Sequence, residues 1–335
     1  MNLEKRISAF INLGEFLKTN TFSDELFLEI ERNNPWFIKE NIDYSLNQIS
    51  STLTKENLNN WLSKYPELKK EKQAKTVAVV TAGNIPLVGF HDFLSILITG
   101  NNILVKLSSK DNILLKEVAN ALINIEPEYK NRISFTDNIM KGFDAIITTG
   151  SDNSAKYFQY YFDKYPHIIR KNRNSVAIIS GDETKEELEN LADDVFMYFG
   201  LGCRNVSKIF IPENYELKNL FEAFAKYENI IQHNKYANNY DYNRSIYLMN
   251  NIKFLEDRHI ILKEDLNYSS PISVIYYERY KDINLIFSKL KKDDDKIQVI
   301  ITNISEKLIK FGKAQKPDLN DYADNIDTIE FLSGL

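Results

Sequence analysis

A chain of 335 residues, 43% hydrophobic and 27% charged, is long enough for two domains or one large one. Its net charge of −5 gives no reason to expect a nucleic-acid or membrane-surface partner. A single cysteine excludes an intramolecular disulfide and fits a reducing cytoplasm, and four histidines without clustered ligands argue against a metal site. The opening "MNLEKRISAFINLGEFLKTN" has neither a signal-peptide nor a membrane-spanning pattern.

Residues 1–72 read as helices. Ile7, Phe10, Ile11, Phe16 and Leu17 recur at helical spacing, and Thr54 is an N-cap signal before a second amphipathic run. The pattern changes at "TVAVVTAGN" (76–84), an apolar, β-branched strand suited to burial on both faces. A helix "IPLVGFHDFLSILITG", a strand "NNILVKLSS" and a helix "NILLKEVANALINI" follow. Next come a strand "DAIITTGS", a helix "NSAKYFQYYFDKY", a strand "NSVAIIS" and a helix "TKEELENLADDVFMYFG". Strands alternating with helices predict a parallel α/β sheet. Further on, "VSKIFIP", "SIYLMN", "PISVIYYE" and "KIQVIITN" read as strands, and "LKNLFEAFAKYE" and "INLIFSKLKK" as helices.

Four segments carry candidate chemistry. In "TAGNIPLVGFHD" a strand runs through a Gly-containing turn into a helix, which aims backbone N–H groups at an anion, and Asn84 projects from the strand's carboxyl end. A plain turn with a capping Asn is the alternative. Lys106 ends an apolar strand, where a charge needs a ligand, a carboxylate or a route to solvent. Gly150-Ser151 closes a strand and opens a helix, but neither it nor "GLGCRN" completes a dinucleotide fingerprint. Cys203 stands on a Gly-x-Gly turn, which offers a thiolate little apolar packing and close backbone donors; a small buried hydrophobe is the default for a lone cysteine.

In this order and spacing the four segments resemble the aldehyde dehydrogenase superfamily over about residues 76–290. The resemblance implies that Asn84 of "GNIPL" binds an oxyanion and that Lys106 of "GNNILVKLSS" contacts the adenosine ribose, with Leu107 in place of the usual proline. Thr149, Gly150 and Ser151 match the turn beside the nicotinamide and phosphates. "FGLGCRNVSKIFIP" matches the catalytic-cysteine segment, with Cys203 as nucleophile and Lys208 as the basic residue five positions on. "EDLNYSSPISVIYY" resembles the segment whose carboxylate meets the nicotinamide ribose, at Glu264 or Asp265. His91, seven residues after Asn84, is a further candidate at the site, or a packing residue.

The chain also departs from that family. Where aldehyde-oxidising members carry a water-activating Glu, "HIIRKNRNSVAII" has Arg170, Lys171 and Arg173 and no carboxylate. That absence and the short length are similar to the acyl-CoA reductase branch, which includes the fatty-acid reductase of bacterial bioluminescence. The implied reaction is reduction of an acyl thioester, acyl-CoA or acyl-carrier protein, to an aldehyde through an S-acyl-cysteine. Ser109 followed by Lys110, in place of a carboxylate, favours NADPH over NADH. An acyl-phosphate reductase and a catalytically inactive binding subunit are the alternatives on the same scaffold. The fold expected is α/β and aldehyde-dehydrogenase-like, with two Rossmann-like parallel-sheet domains and an N-terminal helical segment. The divisions expected are 1–72 helical, 73–180 cofactor-binding, 181–300 catalytic and 301–335 a tail returning to the body. A homodimer is the oligomer to expect, with the family's intersubunit arm reduced.

Overall fold

The computed structural model describes residues 1–335 except Asn20, Thr21 and Glu71, and only the backbone of Asp152. Two compact units divide the chain: Met1–Asn172 with Asp318–Leu335, and Arg173–Pro317.

The first unit opens with helices α1 (Leu3–Thr19), α2 (Asp24–Asn33), α3 (Lys39–Thr52) and α4 (Lys55–Leu62). Phe10, Leu13 and Leu17 form one buried face of α1, and α3 comes so close at Gly14 that an added Cβ would lie 2.8 Å from Leu53 Cβ. The Thr54 hydroxyl accepts the Asn57 N–H at 3.1 Å, capping α4 as its sequence predicts. These helices share one apolar core with the strands β1 (Thr76–Val80), β2 (Asn102–Lys106), β3 (Ile133–Phe135), β4 (Ala145–Thr149) and β5 (His167–Arg170). Helices α5 (Phe90–Ile98), α6 (Leu114–Ile125) and α7 (Asp152–Phe162) connect them, and the sheet is parallel in the order β3-β2-β1-β4-β5. Val77, Ala78 and Val79 of β1 are buried, as a central parallel strand requires.

The second unit has β6 (Asn174–Ile178), α8 (Lys185–Phe196), β7 (Val206–Pro212), α9 (Lys218–Phe224) and α10 (Asn234–Met249). It continues with β8 (Leu255–Asp257), β9 (Ile260–Glu264), β10 (Val274–Tyr280), α11 (Ile283–Lys292) and β11 (Ile297–Ile301). Its sheet runs β11-β6-β7-β10-β9-β8, parallel except for the edge pair β8–β9. The C-terminal α12 (Thr328–Ser333) belongs to the first unit.

By contact the helical segment 1–72 lies in the first unit, the second unit begins at Arg173, and 301–335 is divided between the two at Pro317. Several expectations need revision. The stretch 85–89, expected as helix, is a turn: Pro86 precedes Leu87 at φ 57°, whose N–H donates to Asp111 Oδ2 at 3.1 Å. "SIYLMN" is the end of α10 rather than a strand, because Tyr236, Tyr240, Asn243 and Tyr247 bury one helical face. The short strands β3, β5, β8 and β9 were not anticipated. Among the described residues no helix is long and apolar enough to cross a membrane.

Asp194 gives the second unit a pH dependence. Its buried carboxylate accepts the Gly312 N–H at 2.7 Å and the Ala314 N–H at 2.9 Å, and burial pushes its pKa up to about 7 against those donors. The folded state then binds more protons than the unfolded state between about pH 4 and pH 7. Stability therefore falls as pH rises through that window, by up to about 1.4 kcal/mol per unit from this group. Denaturant titrations of wild type and Asp194→Asn across pH 4–7 should diverge by this slope; parallel curves would contradict it.

Candidate active site

In the first unit the strand order reverses between β1 and β4, since β2 and β3 extend from one side of β1 and β4 and β5 from the other. Ligands of open parallel sheets bind outside the strand carboxyl ends at such a switch point. Val80 pairs with Lys106 and with Thr148, so the ends carrying Thr81–Asn84, Lys106 and Thr149–Ser151 are level with one another. The fold thus brings Asn84, Lys106, Thr149, Gly150 and Ser151 to one edge.

Lys106 Nζ donates to the Asn138 carbonyl at 3.1 Å. Gly83 is packed so closely on the next loop that an added Cβ would lie 2.7 Å from Ser108 Oγ. The Ser108 N–H donates to Thr81 Oγ1 at 3.3 Å. Two side chains from the N-terminal helical region brace the same loop: Asn33 Nδ2 donates to the Ser109 carbonyl at 3.3 Å and Asn34 Nδ2 to the Lys110 carbonyl at 3.1 Å. The side chains of Ser109 and Lys110 are exposed. Ser151 caps α7, its hydroxyl accepting the Ser154 N–H at 3.3 Å, and a Cβ on Gly150 would lie 2.9 Å from Ser154 Cβ.

His91 occupies a packed position. Its Nε2 meets the Leu319 carbonyl at 3.1 Å, its ring lies 5.8 Å from Trp61 and 5.6 Å from Tyr322, and burial lowers its pKa. Arg170 is buried: Nη1 donates to Asp92 Oδ2 at 2.5 Å and Nη2 to Thr328 Oγ1 at 3.1 Å. Arg173 Nη1 donates to the Asp294 and Ile297 carbonyls in the second unit. The basic run noted in the sequence therefore holds the fold at both of these arginines.

In the second unit Cys203 is partly exposed, in the turn that leads into the amino end of β7. The chain reaches it through Tyr198, Phe199 and Gly200 at φ 54°, 59° and 74°. A non-glycine residue in that region costs roughly 1–2 kcal/mol, so its surroundings must hold it there; both rings are buried, and Phe199 lies 4.3 Å from the His233 ring. Past the glycines, the Gly202 N–H donates to Asn205 Oδ1 at 2.8 Å and the Asn205 N–H to the Gly202 carbonyl at 3.0 Å. The Ser175 hydroxyl donates to the Cys203 carbonyl at 2.8 Å, and Arg204 Nε to the Ala314 carbonyl at 2.5 Å.

Glu264 and Asp265 are not brought to this turn. β7, β10 and β9 are parallel, and Glu264 pairs through Tyr277 with Ile209, six residues beyond Cys203 on the carboxyl side. Asp265 is engaged locally: it pairs with Lys263, and Oδ1 accepts the Asn267 N–H and side-chain amide at 2.9 Å each. Burial raises its pKa, but the Lys263 ammonium and the Asn267 donors outweigh this and hold it below the usual carboxylate range. The chain comes back toward the Cys203 edge only near Tyr268, whose carbonyl accepts from Ser207 Oγ at 2.7 Å. Glu264 closes β9, and in a parallel sheet a strand's carboxyl end is the edge away from a residue preceding β7.

Lys208 anchors that returning loop. Its side chain is fully buried, donates to the carbonyls of Asp265 and Leu266 at 3.0 Å each, and pairs with Glu278, which Lys289 also contacts at 2.7 Å. Burial lowers the Lys208 pKa, and Glu278 acts against it.

A family model described as acyl-CoA reductase (LuxC) matches residues 9–292. The chain belongs to this family. Curated relatives include a long-chain acyl-protein thioester reductase of Aliivibrio fischeri, 23% identical over 191 residues, or 50% of this chain and 40% of that one. Long-chain acyl-protein thioester reductase 2 of Photobacterium leiognathi is 22% identical over 168 residues, 45% of this chain and 35% of that one. The matched stretches thus span two-fifths or less of those relatives' length. Among solved structures, aldehyde dehydrogenase 21 of Physcomitrella patens, in complex with succinate, is similar with a TM-score of 0.70 at 13% identity, covering 100% of this chain and 84% of that one. The NADP-dependent glyceraldehyde-3-phosphate dehydrogenase of Bacillus halodurans, complexed with NADP, has a TM-score of 0.65 at 12% identity, covering 92% and 75%. This acyl-CoA reductase family member therefore has the aldehyde-dehydrogenase-like fold of two parallel α/β sheets that its motifs predict.

Proposed function

We propose that the chain reduces an acyl thioester to an aldehyde, with Cys203 as the nucleophile. The observation that carries this reading is the Cys203 turn: the one cysteine of the sequence is partly exposed while hydrogen bonds fix the backbone on either side of it. A nucleophile needs that combination of access and fixed direction. The Cys203 thiolate attacks the acyl carbonyl carbon, forming a C–S bond, and the Cys203 backbone N–H is a donor for the oxyanion. Collapse expels the thiolate of CoA or of the carrier protein and leaves an S-acyl-cysteine. NADPH, when bound, supplies the hydride that releases the aldehyde. The family resemblance assigns Asn84 as a second oxyanion donor. His91, packed on Trp61 and Tyr322, is assigned to the fold rather than to proton transfer.

Arg170 supports reduction over aldehyde oxidation. A guanidinium accepts no proton from water, and the stretch "HIIRKNRNSVAII" offers no carboxylate that would activate water against a thioester.

The level strand ends of the first unit suit a dinucleotide, with Lys106 toward the adenosine ribose and Thr149–Ser151 at a helix N-terminus toward the phosphates. Exposed Ser109 and Lys110, on a loop braced by Asn33 and Asn34, favour a 2′-phosphate and hence NADPH. Ser109→Asp should lower kcat/KM with NADPH roughly 10–100-fold, the worth of a charge-assisted contact, and leave NADH nearly unchanged. The test is oxidation of NADPH and of NADH with acyl-CoAs of increasing length and with acyl-carrier protein. No turnover of any thioester by protein that binds the cofactor would overturn the reading.

A further inference from the structure

The family motifs assign no role to Asn205, two residues beyond Cys203. Asn205 is 3% exposed, and its side chain uses both ends of its amide. Oδ1 accepts the Gly202 N–H at 2.8 Å. Nδ2 faces the carbonyls of Asp194, Val195 and Met197 at 3.0, 3.3 and 2.9 Å, at the C-terminal end of α8. The carbonyls of a helix's last turn find no N–H further along the helix, and a buried helix end needs donors from elsewhere. The amide assignment follows from its surroundings, since three carbonyls accept only and the Gly202 N–H donates only.

One side chain therefore ties the end of α8 to the residue before Cys203, across the left-handed run Tyr198–Gly200. The Asn205 backbone N–H returns to the Gly202 carbonyl at 3.0 Å, closing the turn 202–205 around Cys203. We infer that Asn205 is a positioning residue for the Cys203 nucleophile. It holds the Gly202–Cys203 peptide, and with it the direction of the thiol and of the Cys203 N–H. This deepens the proposed function and rests on Cys203 being the nucleophile there.

An apolar side chain at 205 leaves the three carbonyls and the Gly202 N–H without this partner. The left-handed run then loses a restraint and the turn samples other conformations, so fewer molecules present the thiol correctly at any moment. The cofactor-binding residues of the first unit lie outside this network.

The test uses the full chain, whose single cysteine makes alkylation a background-free readout of Cys203. Asn205→Ala should slow alkylation by iodoacetamide and lower kcat by about 10–100-fold, in proportion to one another, with the NADPH dissociation constant within about twofold of wild type. Asn205→Ser, which keeps a short hydroxyl in the turn, should lie between the two and serves if the alanine variant does not fold. A folded variant with a lowered melting temperature but wild-type alkylation and kcat would overturn the inference, because Asn205 would then be structural only. The proposed function fails separately: if Cys203→Ala keeps turnover, the nucleophile is elsewhere, while the alkylation rates still decide whether Asn205 positions the thiol.

Discussion

Replacing Cys203 with alanine should lower acyl-CoA-dependent NADPH oxidation by roughly four orders of magnitude or more, the range found when a covalent nucleophile is removed. The same variant should melt within a few degrees of wild type. Anchors of the turn include the Gly202 N–H, the Cys203 carbonyl and the Asn205 side chain, none of which the substitution removes. The side chain is also partly exposed, and substitutions at such positions usually change stability by about 0.5 kcal/mol or less. Loss of activity without loss of fold separates chemistry from structure. Steady-state rates, calorimetry and NADPH binding on one preparation check all three. Retention of more than a few per cent of wild-type turnover would contradict the assignment.

The second large effect is on stability. Asp92→Ala leaves the Arg170 guanidinium, 5% exposed, without its carboxylate. Removing one partner of a buried pair costs about 3–5 kcal/mol, because the remaining charge stays desolvated. For a unit of this size that is a fall of roughly 10 °C in melting temperature. The pair joins α5 to β5, and Arg170 also reaches Thr328 in α12, so the loss should loosen the C-terminal helix as well. Replacing both partners with apolar residues, Asp92→Leu with Arg170→Met, should recover most of the loss, since two apolar side chains carry no desolvation penalty. A single variant within 1 kcal/mol of wild type would contradict this account.

The central strands were readable because burial on both faces demands unbroken β-branched runs, as in Thr76–Val80 and Ala145–Thr149. The continuation of the turn through residues 85–89 was obscured because little there marks it locally beyond Pro86. Leu87 is held at positive φ by Asp111, 24 residues away in the chain. The end of α10 misled because "SIYLMN" is β-branched and aromatic in isolation, and only the spacing from Tyr236 onward reveals the helix. At the site, the positions of Lys106, Thr149 and Cys203 followed from strand ends and turns. Glu264 and Asp265 did not, because a parallel strand places its last residue at the edge opposite the chain that precedes a neighbouring strand. Asn205 carried no sequence signal beyond its place in "GCRN", since its partners are backbone carbonyls that any sequence would supply.

The central claim is that an acyl group passes through Cys203. Intact-mass spectrometry after mixing the protein with a long-chain acyl-CoA, with no nicotinamide cofactor present, tests it most directly. The account predicts a mass increase of one acyl group on wild type, mapped by peptide analysis to Cys203, absent from Cys203→Ala and discharged on adding NADPH. An unmodified wild-type mass under conditions that support turnover, or an adduct that survives in Cys203→Ala, would contradict it.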